Sequence, residues 1–288
     1  MGYEPVIRYT TREPRPQQAM EVEPFHHFVF PDGTVWTEFH RRDLDYLLRF
    51  PGLADFEVSG DGMTVTAYPA EGTDDVTVEH LYINQVLPLA LSRQGRPSFH
   101  ASVVTVPGGA VAFLGRTGMG KSTLAASFAL EDAGFLTDDS LLIEETGDGC
   151  LALPSHASLR LWEDSVEALL DDSTDRADAI SYSTKARLLA GDALAYEDEP
   201  QPLLAAYVLE WQRASEVSIR AISGVERHMA WVNNSFLLDI EDRLLLAQHF
   251  DWTHRIAGTV PTFALDYPRD YGMLADVRVA VRTHVTIL

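Results

Sequence analysis

The sequence predicts an α/β fold: a phosphate-loop core preceded by a small β-rich module. Three observations predict it. From residue 96 onward, apolar strand-like runs alternate with helical ones, the pattern of an α/β core. The octet GRTGMGKS, Gly115 to Ser122, follows the apolar run VAFL and precedes an amphipathic run, as a nucleotide loop requires. Upstream, residues 25–76 carry paired alternating runs split by Pro-Asp-Gly and Gly-Asp-Gly, which are hairpin signals.

The elements follow in order. Residues 1–24 are polar and Pro-bearing and read as a loose N-terminal arm. Residues 25–95 read as the β-rich module with a linking helix. That helix covers 77–94, where Val78, Leu81, Tyr82, Val86 and Leu89 keep helical spacing; Pro88 is a kink point and Gly95 a stop. Residues 96–288 form the core domain. It begins with a hairpin, SFHASVVTV and AVAFLG around PGG. A helix over STLAASFALEDAG follows, closed by Gly134, then one or two strands in FLTDDSLLIEE. Further on, SVEALLDD reads as helix, LLAAYVLEWQ and VSIRAIS as strands, and VERHMAWVNNSFLL and EDRLLLAQHFDWTHRIAG as helices. TFALDY is a last strand and YGMLADVRVAVRTHV a closing helix.

GRTGMGKS matches G-x-x-x-x-G-K-[ST]. Backbone N–H groups of Gly115, Arg116, Thr117, Gly118, Met119, Gly120, Lys121, Ser122 and Thr123 are expected to surround the phosphates, with the helix adding its positive end. Lys121 reaches the outer phosphates, and Ser122 presents its hydroxyl to Mg²⁺. Asp138 and Asp139 follow the short step FLT, at a strand end where α/β sheets place ligands. One can hold metal while the other takes a proton from an alcohol. His100 precedes the loop on the neighbouring hairpin strand. Only one register brings it to the phosphate end, and sequence does not set that register.

Composition excludes several classes. With 46% hydrophobic and 23% charged residues the chain can bury a sizeable core. A net charge of −21 disfavours nucleic acid and acidic membrane surfaces, which both require clustered cations. Cys150 is the one cysteine, so no internal disulfide and no Cys-based metal site is expected. The first thirty residues lack a signal-peptide apolar core, and no run of eighteen apolar residues occurs. The expected compartment is the cytoplasm.

Phe99–Glu145 resembles the catalytic domain of HPr kinase/phosphorylase, the bacterial P-loop serine kinases. His100–Ala101, GRTGMGKS and Asp138–Asp139 stand in that family's order and spacing. Arg160–Trp162 (RLW), INQVLPLAL from Ile83 and FALDYPRDYGMLADV from Phe263 extend a weaker similarity over most of 77–285. The resemblance implies an HPr-kinase-like core that uses ATP and Mg²⁺ to phosphorylate a serine hydroxyl. Asp138 would be the base and Asp139 would organise the metal with Ser122. His100 would sit beside the moving phosphoryl group, and Lys121 would keep its loop role. Three departures stand out. Arg116-Thr117 replaces a frequent Asp-Ser, Thr123 replaces a frequent Glu, and the family's later Glu-Ile-Arg-Gly-Leu-Gly is absent. Without that signature, phosphorylase chemistry and HPr as substrate lose support. A transition-state cation must then come from Lys185, Arg187 or Arg160.

The chain is also similar to HPr-kinase-like enzymes found beside lasso-peptide biosynthesis genes, which phosphorylate the C-terminal serine of a precursor peptide. That similarity implies a peptide or small-protein substrate bearing a serine, and a homo-oligomer. Three alternatives stay open: an HPr-type protein kinase, a free-serine kinase, and a nucleotide-binding regulator without transfer chemistry.

Overall fold

The structure is a computed structural model. It describes residues 7–288 except 31, 97, 156, 171–185, 190–193 and 212–213. The class is mixed α/β, and the described residues form two compact units. One runs up to Arg96 and includes Leu237–Ile240; the other takes the remainder through Leu288.

The first unit is built on a sheet of β1 (Arg8–Thr11), β2 (His26–Val29), β3 (Val35–Arg42), β4 (Asp45–Phe50), β5 (Ala54–Val58) and β6 (Thr64–Pro69). Its order is β1-β6-β5-β4-β3-β2. The two expected hairpins are β2–β3 and β5–β6. The sequence pattern did not pick out β4 because Tyr46–Phe50 is buried at every position, so it shows no alternation.

The segment expected to be a loose arm is not loose where it is described. Arg8–Thr11 pairs parallel to β6. Further on, Gln17 Nε2 donates to Asp55 Oδ1 at 2.8 Å, and the Gln18 carbonyl accepts from Arg49 Nη1 at 2.7 Å. Arg49 and Asp55 are both buried and face each other across β4–β5 in a two-pronged ion pair. Their remaining hydrogen-bonding capacity draws the polar segment onto the sheet.

The linking helix is present as α1 (Asp75–Leu81), a π turn (Tyr82–Val86) and α2 (Leu87–Arg93). Asp74 caps it, accepting from Thr77 N–H at 2.7 Å. Pro88 has no N–H for the preceding turn. The chain absorbs that defect by widening one turn, so that Leu87 N–H reaches back to the Tyr82 carbonyl.

The second unit starts with β7 (Ser98–Phe99), β8 (Ala101–Val106), β9 (Gly109–Leu114) and α3 (Lys121–Ala129). Next come β10 (Phe135–Thr137), β11 (Leu141–Thr146), β12 (Gly149–Leu153), β13 (Ser158–Leu161), α4 (Glu163–Leu169) and β14 (Ala186–Leu189). The chain closes with β15 (Gln201–Leu209), β16 (Ser218–Ala221), α5 (Gly224–Val232), α6 (Arg243–Thr259), β17 (Thr262–Asp266) and α7 (Leu274–Val285).

β9, β15 and β17 are mutually parallel, and β10 runs the same way because β8 is antiparallel to both β9 and β10. Four carboxyl ends therefore share one sheet edge. Successive residues enter opposite layers. Val104, Val111 and Phe113 pack with Leu124, Phe128, Val277 and Val281 of α3 and α7. Val103, Ala112 and Leu114 pack with Trp231 and Ile256 of α5 and α6.

Two helices are shorter than their sequence patterns. α3 stops at Ala129, where the N–H groups of Glu131 and Ala133 both turn back to the Phe128 carbonyl. Gly134 is not its cap; it donates to Thr105 Oγ1 at 2.7 Å. α5 stops at Val232, and the following Asn pair closes it as a turn, the Asn233 N–H on the Met229 carbonyl and the Asn234 N–H on the Trp231 carbonyl. No helix among the described residues is long and apolar enough to cross a membrane.

Candidate functional site

The hairpin register answers the question left by the sequence. Ala101 pairs with Leu114, so His100 stands level with Gly115, where the Gly-rich loop begins. His100 lies at a break between β7 and β8. Its N–H leaves the ladder and donates to the Asn234 carbonyl at 2.6 Å.

The loop runs from the end of β9 into α3. Gly115, Gly118 and Gly120 all take positive φ (147°, 83° and 86°), which side-chain-bearing residues rarely adopt. Arg116, Thr117 and Gly118 are exposed at the tip. Met119 is buried in the core beneath, and its N–H donates to the Arg116 carbonyl at 3.2 Å. Gly120 precedes α3 with no side-chain cap, so the first-turn N–H groups have no side-chain acceptor from it. Lys121 folds back across the loop: Nζ donates to the Gly115 carbonyl at 2.7 Å and the Arg116 carbonyl at 3.3 Å. Thr123 points elsewhere. Its hydroxyl meets Ser165 Oγ at 3.0 Å, which in turn meets the Tyr271 hydroxyl at 3.1 Å.

Asp138 and Asp139 follow β10 at the same sheet edge. Positive φ at Asp139 (75°) breaks the strand alternation, and both carboxylates turn toward one residue of β13. Arg160 N–H donates to Asp138 Oδ2 at 3.1 Å, while its guanidinium pairs with Asp139 Oδ2. Asp138 Oδ1 accepts two hydroxyls, Ser102 Oγ at 2.6 Å and Ser122 Oγ at 2.8 Å. His100 Nδ1 lies 3.2 Å from the Asp139 carbonyl and 3.7 Å from Asp139 Oδ1.

Burial, and then the neighbouring Asp139 charge, push the Asp138 carboxyl above the usual carboxylate range. The Ser102 hydroxyl and the Arg160 N–H and guanidinium pull the other way without cancelling the rise.

The structure thus gathers His100, Lys121, Ser122, Asp138 and Asp139 around one loop mouth. It divides them differently from the expected pairing of Ser122 with Asp139: the Ser122 hydroxyl is on Asp138, and Asp139 is with His100 and Arg160. Arg160 is in the cluster and Arg187 pairs across from it in the β13–β14 ladder. Lys185 lies outside the described residues. Hydroxyl and carboxylate oxygens are the donors Mg²⁺ takes, completed by phosphate oxygens of a substrate, so the set fits that ion in kind. Among the described residues no group of three or more His, Cys, Asp or Glu forms a metal site on its own.

Two contributors escaped the sequence reading. Ser102 had a weak signal, a hydroxyl two residues from His100 in an otherwise apolar run. Asn234 had none, because it is 119 positions from the loop residue it touches.

No protein-family model matches the chain, and no curated protein matches it. Among solved structures, it is similar to the Hpr(Ser) kinase/phosphatase from Coxiella burnetii at 12% identity and a TM-score of 0.27. The match covers 55% of this chain and 96% of that one. A TM-score that low carries neither fold nor function across.

Proposed function

We propose that this chain transfers the γ-phosphoryl group of ATP to a serine hydroxyl. The proposed acceptor is a peptide, with a lasso precursor as the first candidate. One observation carries the reading: the hydroxyl that opens the helix after the Gly-rich loop, Ser122, rests on a buried carboxylate shared with Ser102, at the carboxyl edge of parallel strands.

In this reading Gly118, Gly120 and the first turn of α3 receive the phosphates, while the Gly115 N–H stays on Asn234. Lys121 leaves the Gly115 and Arg116 carbonyls for the outer phosphates. Ser122 and Asp139 would hold Mg²⁺, which would supply charge neutralisation when bound. Asp138 accepts the proton from the serine hydroxyl as that oxygen bonds to the γ-phosphorus. The bond from phosphorus to the β–γ bridging oxygen breaks, and ADP leaves. A raised proton affinity suits Asp138 to that step, since a general base works best near the operating pH. His100 supports Asp139 and the charge on the transferring group.

The Ser122–Asp138 bond favours a second division of labour. Asp138 would serve the metal side and Asp139, beside His100, would take the proton. Two variants separate the readings. If Asp138 is the base, Asp138→Asn loses turnover by about 10²–10⁴-fold with ATP affinity kept, and Asp139→Asn weakens Mg²⁺-dependent ATP binding. The exchanged roles give the reverse. Lys121→Ala weakens both binding and turnover in either case.

Mass analysis after incubation with ATP, Mg²⁺ and serine-ending peptides tests the function itself. One added phosphoryl group on the peptide is the expected result. Modification of HPr or free serine alone would overturn the peptide acceptor. Nucleotide binding with no acceptor modified would leave a regulator instead.

A further inference from the structure

Asn234 joins the two halves of the loop mouth. Its Oδ1 accepts from Gly115 N–H at 3.0 Å, and its Nδ2 donates to the Ala230 carbonyl at 2.8 Å. An N–H on one side and a carbonyl on the other fix which way round the amide sits. The Asn234 carbonyl takes the His100 N–H at 2.6 Å. One buried residue therefore holds both the first residue of the Gly-rich loop and the backbone of His100.

The flanking chain braces it. Ser235 bridges to Phe99, and Phe236 N–H donates to the Ser98 carbonyl at 2.9 Å. Ser235 Oγ also contacts His249 Nε2 at 2.7 Å, which ties the segment to α6. Gly115 sits at φ 147°, and its N–H is directed to Asn234 instead of into the loop. The conformation at the loop entry thus depends on a side chain from a distant element.

We infer that Asn234 is a positioning residue, which keeps the Gly-rich loop and His100 at one spacing across the site. Its catalytic consequence rests on the phosphotransfer reading above; its structural consequence does not. Only an amide, or a protonated carboxyl, meets both partners. An ionised carboxylate at this position still accepts from Gly115 but sets a second acceptor against the Ala230 carbonyl.

The test is Asn234→Asp in the full chain, followed by amide hydrogen exchange, ATP affinity and turnover from pH 5 to 8. The Gly115 and His100 amides are expected to exchange faster than in the wild type at neutral pH. Turnover is expected to fall on the order of 10²-fold with ATP affinity nearly kept, because a misplaced reacting group loses rate before binding. The ratio of variant to wild-type turnover should climb as pH falls and the introduced carboxyl regains its proton.

Unchanged exchange at Gly115 together with wild-type turnover would overturn the inference. So would a turnover loss that merely tracks the fraction folded at every pH. If the wild type itself binds no ATP, the functional reading fails while the exchange result still decides the positioning claim. If Asn234→Asp does not fold, Asn234→Ala gives the same exchange and affinity readouts.

Discussion

Asp138 accepts three hydrogen bonds while sealed from solvent, and these facts pull its proton affinity in opposite directions. Burial and the adjacent Asp139 prevail, so the folded state holds the Asp138 proton more tightly than the unfolded chain does. The sign for stability follows. Above the raised value the ionised carboxylate destabilises the fold. As pH falls through that value toward an ordinary carboxylate near ~3.9, the penalty disappears. Asp138→Asn removes this titration. Melting curves should therefore show the variant's Tm gaining most on the wild type near neutral pH, with the gain shrinking toward pH 4. A difference that stays flat or widens on acidification would contradict the assignment. Cys150 is a contrasting case: burial, then Glu145, pushes its thiol up to about 11, which leaves it a poor nucleophile. At this scale the motif residues were legible because Gly, Lys and paired Asp have few other reasons to stand at that spacing. Ser102 and Asn234 were not, since a single hydroxyl or amide acquires meaning only from a partner brought close by the fold.

Elements show the same division between what is local and what is not. The β8–β9 hairpin was readable from PGG, yet its second glycine has a reason the turn does not supply. A Cβ on Gly109 would lie 2.3 Å from the Pro202 carbonyl oxygen of β15 and 3.0 Å from Leu204 Cγ. Gly109→Ala should therefore destabilise by about 3 kcal/mol in denaturant titration, by forcing β9 and β15 apart. A loss under about 0.5 kcal/mol, ordinary for an exposed turn, would refute that close approach. In the first unit the buried Arg49–Asp55 pair makes a matching claim. Asp55→Ala strands a buried guanidinium and should destabilise by about 3–5 kcal/mol, whereas Arg49→Met with Asp55→Leu should cost far less. Parity between the single and double variants would mean that the pair is not held as described. Helix lengths were the weakest part of the sequence reading. α3 and α5 end earlier than their apolar spacing suggests, because local turns close them: Glu131 and Ala133 N–H return to the Phe128 carbonyl, and Asn234 and Ser235 N–H return to the Trp231 and Val232 carbonyls. The π turn before Pro88 is the converse: the proline announced a disturbance, and only the backbone shows how it is absorbed.

On the scale of the whole chain, alternation of strands and helices was enough to read the α/β class, and hairpin signals were enough to read the β-rich module. Parallel pairing was not readable. β1 beside β6, and β15 between β9 and β17, join segments far apart in sequence, and period-two patterning carries no address for a partner strand. In the proposed reaction that parallel core matters most, because it lines up the ends of β9, β10, β15 and β17 and so brings together the loop, the Asp pair and His100. The net charge of −21 adds a secondary expectation that a basic acceptor peptide associates faster at low salt. The most direct measurement of the central claim is single-turnover transfer from γ-labelled ATP to a serine-ending peptide, run with the wild type and with Asp138→Asn at matched nucleotide occupancy. The account predicts label on the peptide serine with the wild type, and a rate lower by about 10²–10⁴-fold with the variant. Equal rates in the two proteins, or label that never leaves ATP in either, would contradict it.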